Sequence, residues 1–130
     1  MKLNEINFND DCSMIVTIPE QEKSIMLTVS DSLMAYEEEI SITYKKKIVE
    51  FLNLSSIWYS ICIDRLRKDI TTGTKYRLME IFILSEQNSN EMIYGVLFNV
   101  DGDREHGRGM KIRGEDLSVI EFGLSEVAYT

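Results

Sequence analysis

The spacing of apolar residues changes twice along this chain, and that change limits the folds available to it. In the middle, apolar side chains recur at the spacing of one α-helical stripe: Ile40, Tyr44, Ile48, Phe51 and Leu52. Short β-rich runs come before and after this stripe. Strand runs on both sides of a helical segment predict an α+β domain, with a largely antiparallel sheet and the helices packed on one face.

Three short strand patterns precede the helical segment. We predict strands over 3–8, 14–18 and 25–29, because β-branched and alternating apolar residues dominate each of these runs. Asn9, Asp10 and Asp11 separate the first two strands with side chains that bond locally to the backbone. Pro19 ends the second strand, since proline cannot donate a ladder hydrogen bond.

Two helices are predicted next, as a helical hairpin. Ser30, Asp31 and Ser32 are candidates for the N-cap of the first helix. After an interruption at 53–56, the second helix runs from about 56 to 69. Its apolar face is predicted to hold Ile57, Trp58, Ile61, Cys62, Arg65 and Leu66.

About four strands follow the helices. We predict strands at 76–84, 91–100, 109–113 and 118–122, with a further short strand pattern at 126–129. The polar, glycine-rich stretch 101–109 reads as a turn. No repeat, low-complexity run or linker divides the 130 residues, so residues 1–130 are predicted to form a single domain.

The net charge of −8 limits the partners that the chain can have. An acidic protein does not neutralise phosphates, so we expect no binding to nucleic acid and none to an anionic membrane. A basic protein partner is compatible with this charge. The N-terminus lacks the apolar core of a secretory signal, and no run approaches the roughly 18 apolar residues of a membrane span. We therefore expect a cytoplasmic protein.

The stretch from Asp101 to Gly107 is the strongest candidate for a metal site. Asp101, Asp103 and Glu105 occupy positions 1, 3 and 5 of a calcium loop, but His106 replaces the required glycine and the twelfth position is apolar. His106, the only histidine, has no cysteine close to it in sequence, and no serine or cysteine lies in a nucleophile-elbow context. We predict no cofactor, no bound metal and no catalysis.

The two cysteines do not form a recognisable pair in the sequence. Cys12 and Cys62 lie far apart and have neither a zinc-site nor a disulfide-framework spacing. Cys62 is expected to be a small buried apolar residue.

The C-terminal residues resemble a known family. The matching residues are Asp103, Glu105, His106, Gly107, Gly109, Ile120, Glu121, Gly123, Glu126, Val127, Ala128 and Tyr129. They resemble the ending of a family of small bacterial proteins that are often encoded beside polymorphic toxins and look like immunity proteins, including those of contact-dependent growth inhibition. The resemblance implies a protein that binds one toxin domain and catalyses nothing. The family's specificity residues vary, so the motif assigns no binding residue.

Three hypotheses follow. The first is an immunity protein that neutralises a cognate toxin, a basic nuclease by expectation, by occluding its active site or substrate surface with carboxylates. Candidate partner-binding acids are Glu37, Glu38, Glu39, Asp101, Asp103 and Glu105. The second is a structural or regulatory homo-oligomer, such as a homodimer paired through edge strands. The third is a metal-binding enzyme that uses the His106 turn.

Overall fold

The computed structural model describes residues 1–30, 33, 39–69, 75–101 and 103–130, and only the backbone of 103–106. The strands and helices are β1 (Ser13–Val16), β2 (Ile25–Val29), α1 (Ile42–Asn53), α2 (Ser55–Asp69), β3 (Tyr76–Ile83), β4 (Ile93–Val100), β5 (Asp103–Arg113) and β6 (Val119–Leu124). Short 3-10 helices lie at Leu3–Glu5 and Ser125–Ala128. The fold class is α+β, as the sequence predicts.

The six strands among the described residues form one sheet, in the order β1-β2-β3-β4-β5-β6. Neighbours are antiparallel except β2 and β3, which are parallel, with Met26 opposite Glu80 and Val29 opposite Ile83. A parallel pair needs a crossover connection, and the helices lie in the chain between these two strands. The sheet is therefore largely antiparallel, as predicted, and contains one parallel pair that was not predicted.

The two helices cover one face of the sheet. Phe51 of α1 stacks on Tyr94 of β4, and Tyr59 of α2 contacts Phe98 four residues further along the same strand. The fully buried side chains beneath the helices come from every strand between β2 and β5: Leu27, Val29, Leu78, Ile81, Ile83, Val96, Phe98, Met110 and Ile112. This layer is the main hydrophobic core.

The N-cap of α1 and the buried face of α2 both differ from the predictions. The N-cap of α1 is Ser41, whose Oγ accepts a 3.2 Å hydrogen bond from the Tyr44 amide. The predicted N-cap at 30–32 is therefore wrong. Ser30 is buried outside the helix, and residues 31 and 32 lie outside the described ones. In α2, Ile57 and Ile61 are exposed. The buried stripe of α2 is Ser55, Trp58, Cys62 and Leu66. Neither helix is long and apolar enough to cross a bilayer, in the part of the chain that the structure describes.

The prediction of a first strand over 3–8 is wrong. Leu3–Glu5 is a 3-10 helix in which Glu5 Oε1 accepts a hydrogen bond from the Lys2 amide at 2.9 Å. Ile6 is buried and Phe8 packs on the core, so the alternating apolar residues reflect burial without strand pairing. The N-terminal part thus supplies two strands to the sheet.

Two predictions about the C-terminal part are also wrong. The stretch from Asp103 to Gly109 belongs to β5, in which Asp103, Arg108 and Gly109 pair with β4, so this part of the predicted turn is a strand. The predicted strand at 126–129 is instead the 3-10 helix Ser125–Ala128 and the residue after it. The predicted number of four C-terminal strands agrees with β3 to β6.

Candidate partner-binding surface

The predicted partner-binding acids do not assemble into one patch where the structure describes them. Glu39 lies before α1, and its carbonyl accepts a 3.0 Å hydrogen bond from Gln87, beyond the C-terminal end of β3. Asp101 is exposed, and its amide donates to Lys75 at the opposite end of β3. The eight residues of β3 separate these ends by roughly 26 Å.

The other four acids cannot be placed as side chains. Glu37 and Glu38 lie outside the described residues, and Asp103 and Glu105 are described through the backbone of β5 alone. The side chain of His106 is outside the described part as well. Among the side chains that the structure does describe, no group of three or more His, Cys, Asp and Glu residues is arranged to hold a metal ion.

Cys62 matches its predicted role as a buried apolar residue. Its side chain is fully buried in α2, and burial raises the pKa of the thiol from 9.0 to about 12. A thiol held protonated at neutral pH is a poor nucleophile. Cys12 is half-buried, at a backbone φ of 57°, and both cysteines are free thiols.

A concave acidic surface forms where three separate segments meet, and we call it the α1 cleft. It has a volume of about 420 Å³. Its walls come from the second half of α1, from the residues just before and at the start of β4, and from the turn between β5 and β6. The lining residues are Lys47, Glu50, Phe51, Leu54, Asn90, Glu91, Met92, Tyr94, Gly114 and Glu115.

The floor of the α1 cleft is rigid. The rings of Phe51 and Tyr94 lie 3.8 Å apart between centroids and 10° from parallel. The Tyr94 hydroxyl donates a 3.2 Å hydrogen bond to the Lys47 carbonyl, which ties β4 to α1. On the far wall, the Gly114 amide donates to the Met92 carbonyl at 2.7 Å. These bonds fix the three segments relative to one another.

The rim of the cleft carries more negative than positive charge. Glu50, Glu91 and Glu115 are all exposed carboxylates. Lys47 is the cation among the lining residues, and its Nζ lies 3.5 Å from the Ser89 carbonyl. Within the part of the chain that the structure describes, no ion pair joins Lys47 to any of the three acids.

One of the three acids has a cation of its own. Arg113 pairs with Glu91, and its Nη1 lies 3.6 Å from Asp116. The hydrogen bond from Arg113 to Glu91 raises the pKa of the guanidinium, and hydrogen bonds from Ser118 lower the pKa of Asp116. Glu50 and Glu115 have no such partner among the described residues, although the Glu50 charge contributes, after burial and Tyr44, to the raised pKa of the Tyr94 hydroxyl.

Sequence reasoning missed the acids of the α1 cleft because they are far apart in the chain. Glu50 follows the basic run 45–47 on a helix, Glu91 precedes a strand, and Glu115 lies in a turn. Nothing in their separate patterns brings them together. The only available signal was Glu50, an acid in the last turn of a helix, where a negative charge is unfavourable.

Three of the residues that carry the family resemblance, Gly109, Gly123 and Ala128, have a role in packing. A Cβ on Gly109 would lie 2.7 Å from the Ala128 nitrogen, and one on Gly123 would lie 2.7 Å from Val127 Cγ2. Ala128 is fully buried. These glycines let the C-terminal 3-10 helix lie directly on the sheet, on the face opposite α1 and α2. These three residues therefore explain how the 3-10 helix Ser125–Ala128 packs on the sheet.

Comparison with known proteins adds no relative. No family model, no curated protein and no solved structure matches this chain.

Proposed function

We propose that this chain is a cytoplasmic immunity protein that binds a basic toxin domain, such as a nuclease, and blocks it by occupying its active site or substrate surface. The observation that carries the proposal is the α1 cleft, a rigid acidic concavity in which Glu50 and Glu115 have no cationic partner among the described residues. The C-terminal resemblance to immunity proteins of contact-dependent growth inhibition supports the same class of function.

The mechanism is stoichiometric and electrostatic. The active site of a nuclease must be basic enough to hold phosphates, and carboxylates on an inhibitor can take the positions of those phosphates. The overall charge of −8 would speed the encounter with such a surface. Ring stacking and hydrogen bonds beneath the cleft hold its segments together before binding, so little backbone entropy is lost on association.

The test is co-purification with a candidate toxin. The gene for this chain is co-expressed with the C-terminal domain of a large secreted protein encoded next to it, with an affinity tag on one partner only. We expect a one-to-one complex that persists at nanomolar concentration and restores growth to cells that produce the toxin domain. A toxin domain that kills cells equally with and without this chain, and that elutes alone, would rule the proposal out.

A second candidate function, self-association, is favoured by one observation. Ile15 and Met26 are cross-strand neighbours on β1 and β2, on the face opposite the helices, and are 64% and 37% exposed. Two exposed apolar side chains side by side suit an interface. Light scattering across a hundredfold range of concentration tests it: a mass that rises from one to two chains, and stays at one in Ile15→Lys, would support a homodimer. A constant monomer mass would exclude it.

A further inference from the structure

We infer that the α1 cleft receives one basic side chain from the partner protein, and that arginine is its best occupant. This inference rests on the proposed function and adds to it the position and chemistry of the central contact. Interfaces concentrate binding energy in a few anchors that fill pockets, and arginine is among the residues enriched there.

The charge of the cleft favours a cation. Three carboxylates and one ammonium group line it, and the ammonium of Lys47 lies against the Ser89 carbonyl. Glu91 is already paired with Arg113, which also lies beside Asp116. Glu50 and Glu115 therefore remain as the two carboxylates whose charge an incoming cation would satisfy.

The position of Glu50 adds to this argument. It lies in the last turn of α1, a turn that has no basic residue. A carboxylate near a helix C-terminus is repelled by the partial negative charge of the last carbonyl groups. A bound cation at this point would be attracted both by the carboxylate and by the helix end.

The shape of the cleft fits a long side chain with a charged tip. Leu54 and Met92 line the cleft together with the buried rings of Phe51 and Tyr94, so the cleft offers apolar surface as well as carboxylates. Arginine can lay its aliphatic stem along such a surface while its charged head stays at the rim. Its planar group carries five N–H donors, so it can serve carboxylates on two different segments, whereas lysine offers a point charge.

The experiment uses a capped Gly-Arg-Gly peptide as the probe. It is titrated into the full chain while amide chemical shifts are recorded by NMR. We expect saturable shifts that centre on Leu54, Glu91 and Gly114. The same peptide with citrulline in place of arginine keeps the shape and loses the charge, and should produce no saturable shift.

Two variants of equal net charge identify the site. Glu50→Gln with Glu115→Gln removes both unpaired carboxylates from the cleft and should weaken binding of the probe roughly tenfold or more, as expected for lost charge-assisted contacts. Glu22→Gln with Glu126→Gln removes two exposed acids that do not line the cleft, and should change the affinity less than about twofold. An amide spectrum that keeps its dispersion shows that each variant is folded.

The experiments can contradict the arginine site without contradicting the immunity proposal, and the reverse. Equal binding of the arginine and citrulline peptides, shifts spread over the whole surface, or equal losses in both double variants would overturn the cleft as an arginine site. If the wild-type chain still co-purified with a toxin domain, the immunity proposal would stand. If the chain bound the probe in the cleft but neutralised no toxin domain, the arginine site would stand and the immunity proposal would fail.

Discussion

The side-chain amide of Gln21 pairs with the backbone of Leu78 as a neighbouring strand would. Its Oε1 accepts from the Leu78 amide at 3.0 Å, and its Nε2 donates to the Leu78 carbonyl at 2.9 Å. The ladder between β2 and β3 begins only at Met26 and Glu80, so β3 extends past its parallel neighbour at this point. Gln21 thus completes the hydrogen bonding of a strand residue whose side chain is fully buried.

Replacement of Gln21 by methionine keeps the size of the side chain and removes both hydrogen bonds to Leu78, along with those to the Lys23 carbonyl and the Tyr59 hydroxyl. We expect the free energy of unfolding to fall by about 1–3 kcal/mol, because two backbone groups of Leu78 lose their partner. Urea denaturation measures the loss. Gln87→Met is the matched control: Gln87 makes the same pair of bonds to Ser41 and Glu39, but in an exposed position where water can replace them. A smaller loss for Gln21→Met than for Gln87→Met would contradict this account.

A methyl group at position 95 should displace the C-terminal 3-10 helix. A Cβ on Gly95 would lie 1.7 Å from the Ala128 carbonyl oxygen, so the backbone must move in Gly95→Ala. We expect a loss of about 1–3 kcal/mol or more, typical of overpacking. Thermal and urea denaturation provide the measurement.

Gly123→Ala tests crowding against a side chain, whereas Gly95→Ala tests crowding against the backbone. Its added Cβ would lie 2.7 Å from Val127 Cγ2, the end of a side chain. A second change, Val127→Ala, should restore most of the stability lost in Gly123→Ala and none of that lost in Gly95→Ala. Rescue of both variants, or of neither, would show that the contacts differ from those described.

Stability should decline in alkaline solution. Burial raises the pKa of the Cys62 thiol from 9.0 to about 12, and burial likewise raises the pKa of the Tyr44 and Tyr94 hydroxyls above 10.0. The unfolded chain releases these protons near the ordinary pKa values of 9.0 for the thiol and 10.0 for the hydroxyls. The folded chain retains them to higher pH. The contribution is therefore complete below about pH 9 and is lost as pH rises toward 12.

Each such group lowers the free energy of unfolding by up to about 1.4 kcal/mol per pH unit in that range. Urea denaturation at pH values from 8 to 11 measures the slope. Tyr94→Phe removes one of the three groups and should flatten it. Stability that stayed constant from pH 8 to 11 in the wild-type chain would contradict the prediction.

Trp58 joins the end of α1 to α2. Its Nε1–H donates to the Phe51 carbonyl at 2.8 Å, and its ring is fully buried and stacked on Phe51 at 4.8 Å. We expect Trp58→Phe to lower the free energy of unfolding by about 1–3 kcal/mol, because a gap remains and the Phe51 carbonyl keeps the Leu54 amide but loses the indole donor. Ile57→Ala, at an exposed position one residue away, should cost less than about 1 kcal/mol. Chemical denaturation followed by circular dichroism compares the two.

The parts of the fold that could be predicted are those in which local pattern and burial agree. The predicted range 25–29 coincides with β2, and the predicted second helix differs from α2 by about one residue at its start. In both, the spacing of apolar residues follows directly from the face that packs on the core. The parallel pairing of β2 with β3 could not be predicted, because it depends on two segments separated by both helices.

The wrong predictions share a physical reason. The run 3–8 alternates apolar and polar residues in part and the run 126–129 is mostly apolar, as strands are, but each packs on the core or the sheet without a strand beside it. Gly107 and Gly109 suggested a turn, yet in β5 Gly107 leaves room for the Phe98 carbonyl and Gly109 for the backbone of the C-terminal 3-10 helix. Local sequence cannot distinguish a glycine needed for a turn from one needed for close packing.

The candidate site was less accessible to prediction than the fold. The net charge predicted a basic partner. The acids chosen from the sequence, at 37–39 and 101–105, were noticed because they lie close together in the chain. Glu50, Glu91 and Glu115 become neighbours through the packing of α1 on β4 and the reversal between β5 and β6. A surface made from three segments has no signature in any one of them.

The parallel contact between β2 and β3 has a consequence for the order of folding. The pairs from β3 to β6 join strands that follow one another closely in sequence, whereas β2 meets β3 only after a loop holding both helices has closed. Closure of a long loop costs entropy before any contact repays it, so we expect β1 and β2 to join the sheet late. Leu27→Ala should then accelerate unfolding, and Val96→Ala should slow refolding, in stopped-flow measurements. The reverse result would mean that the long loop closes first.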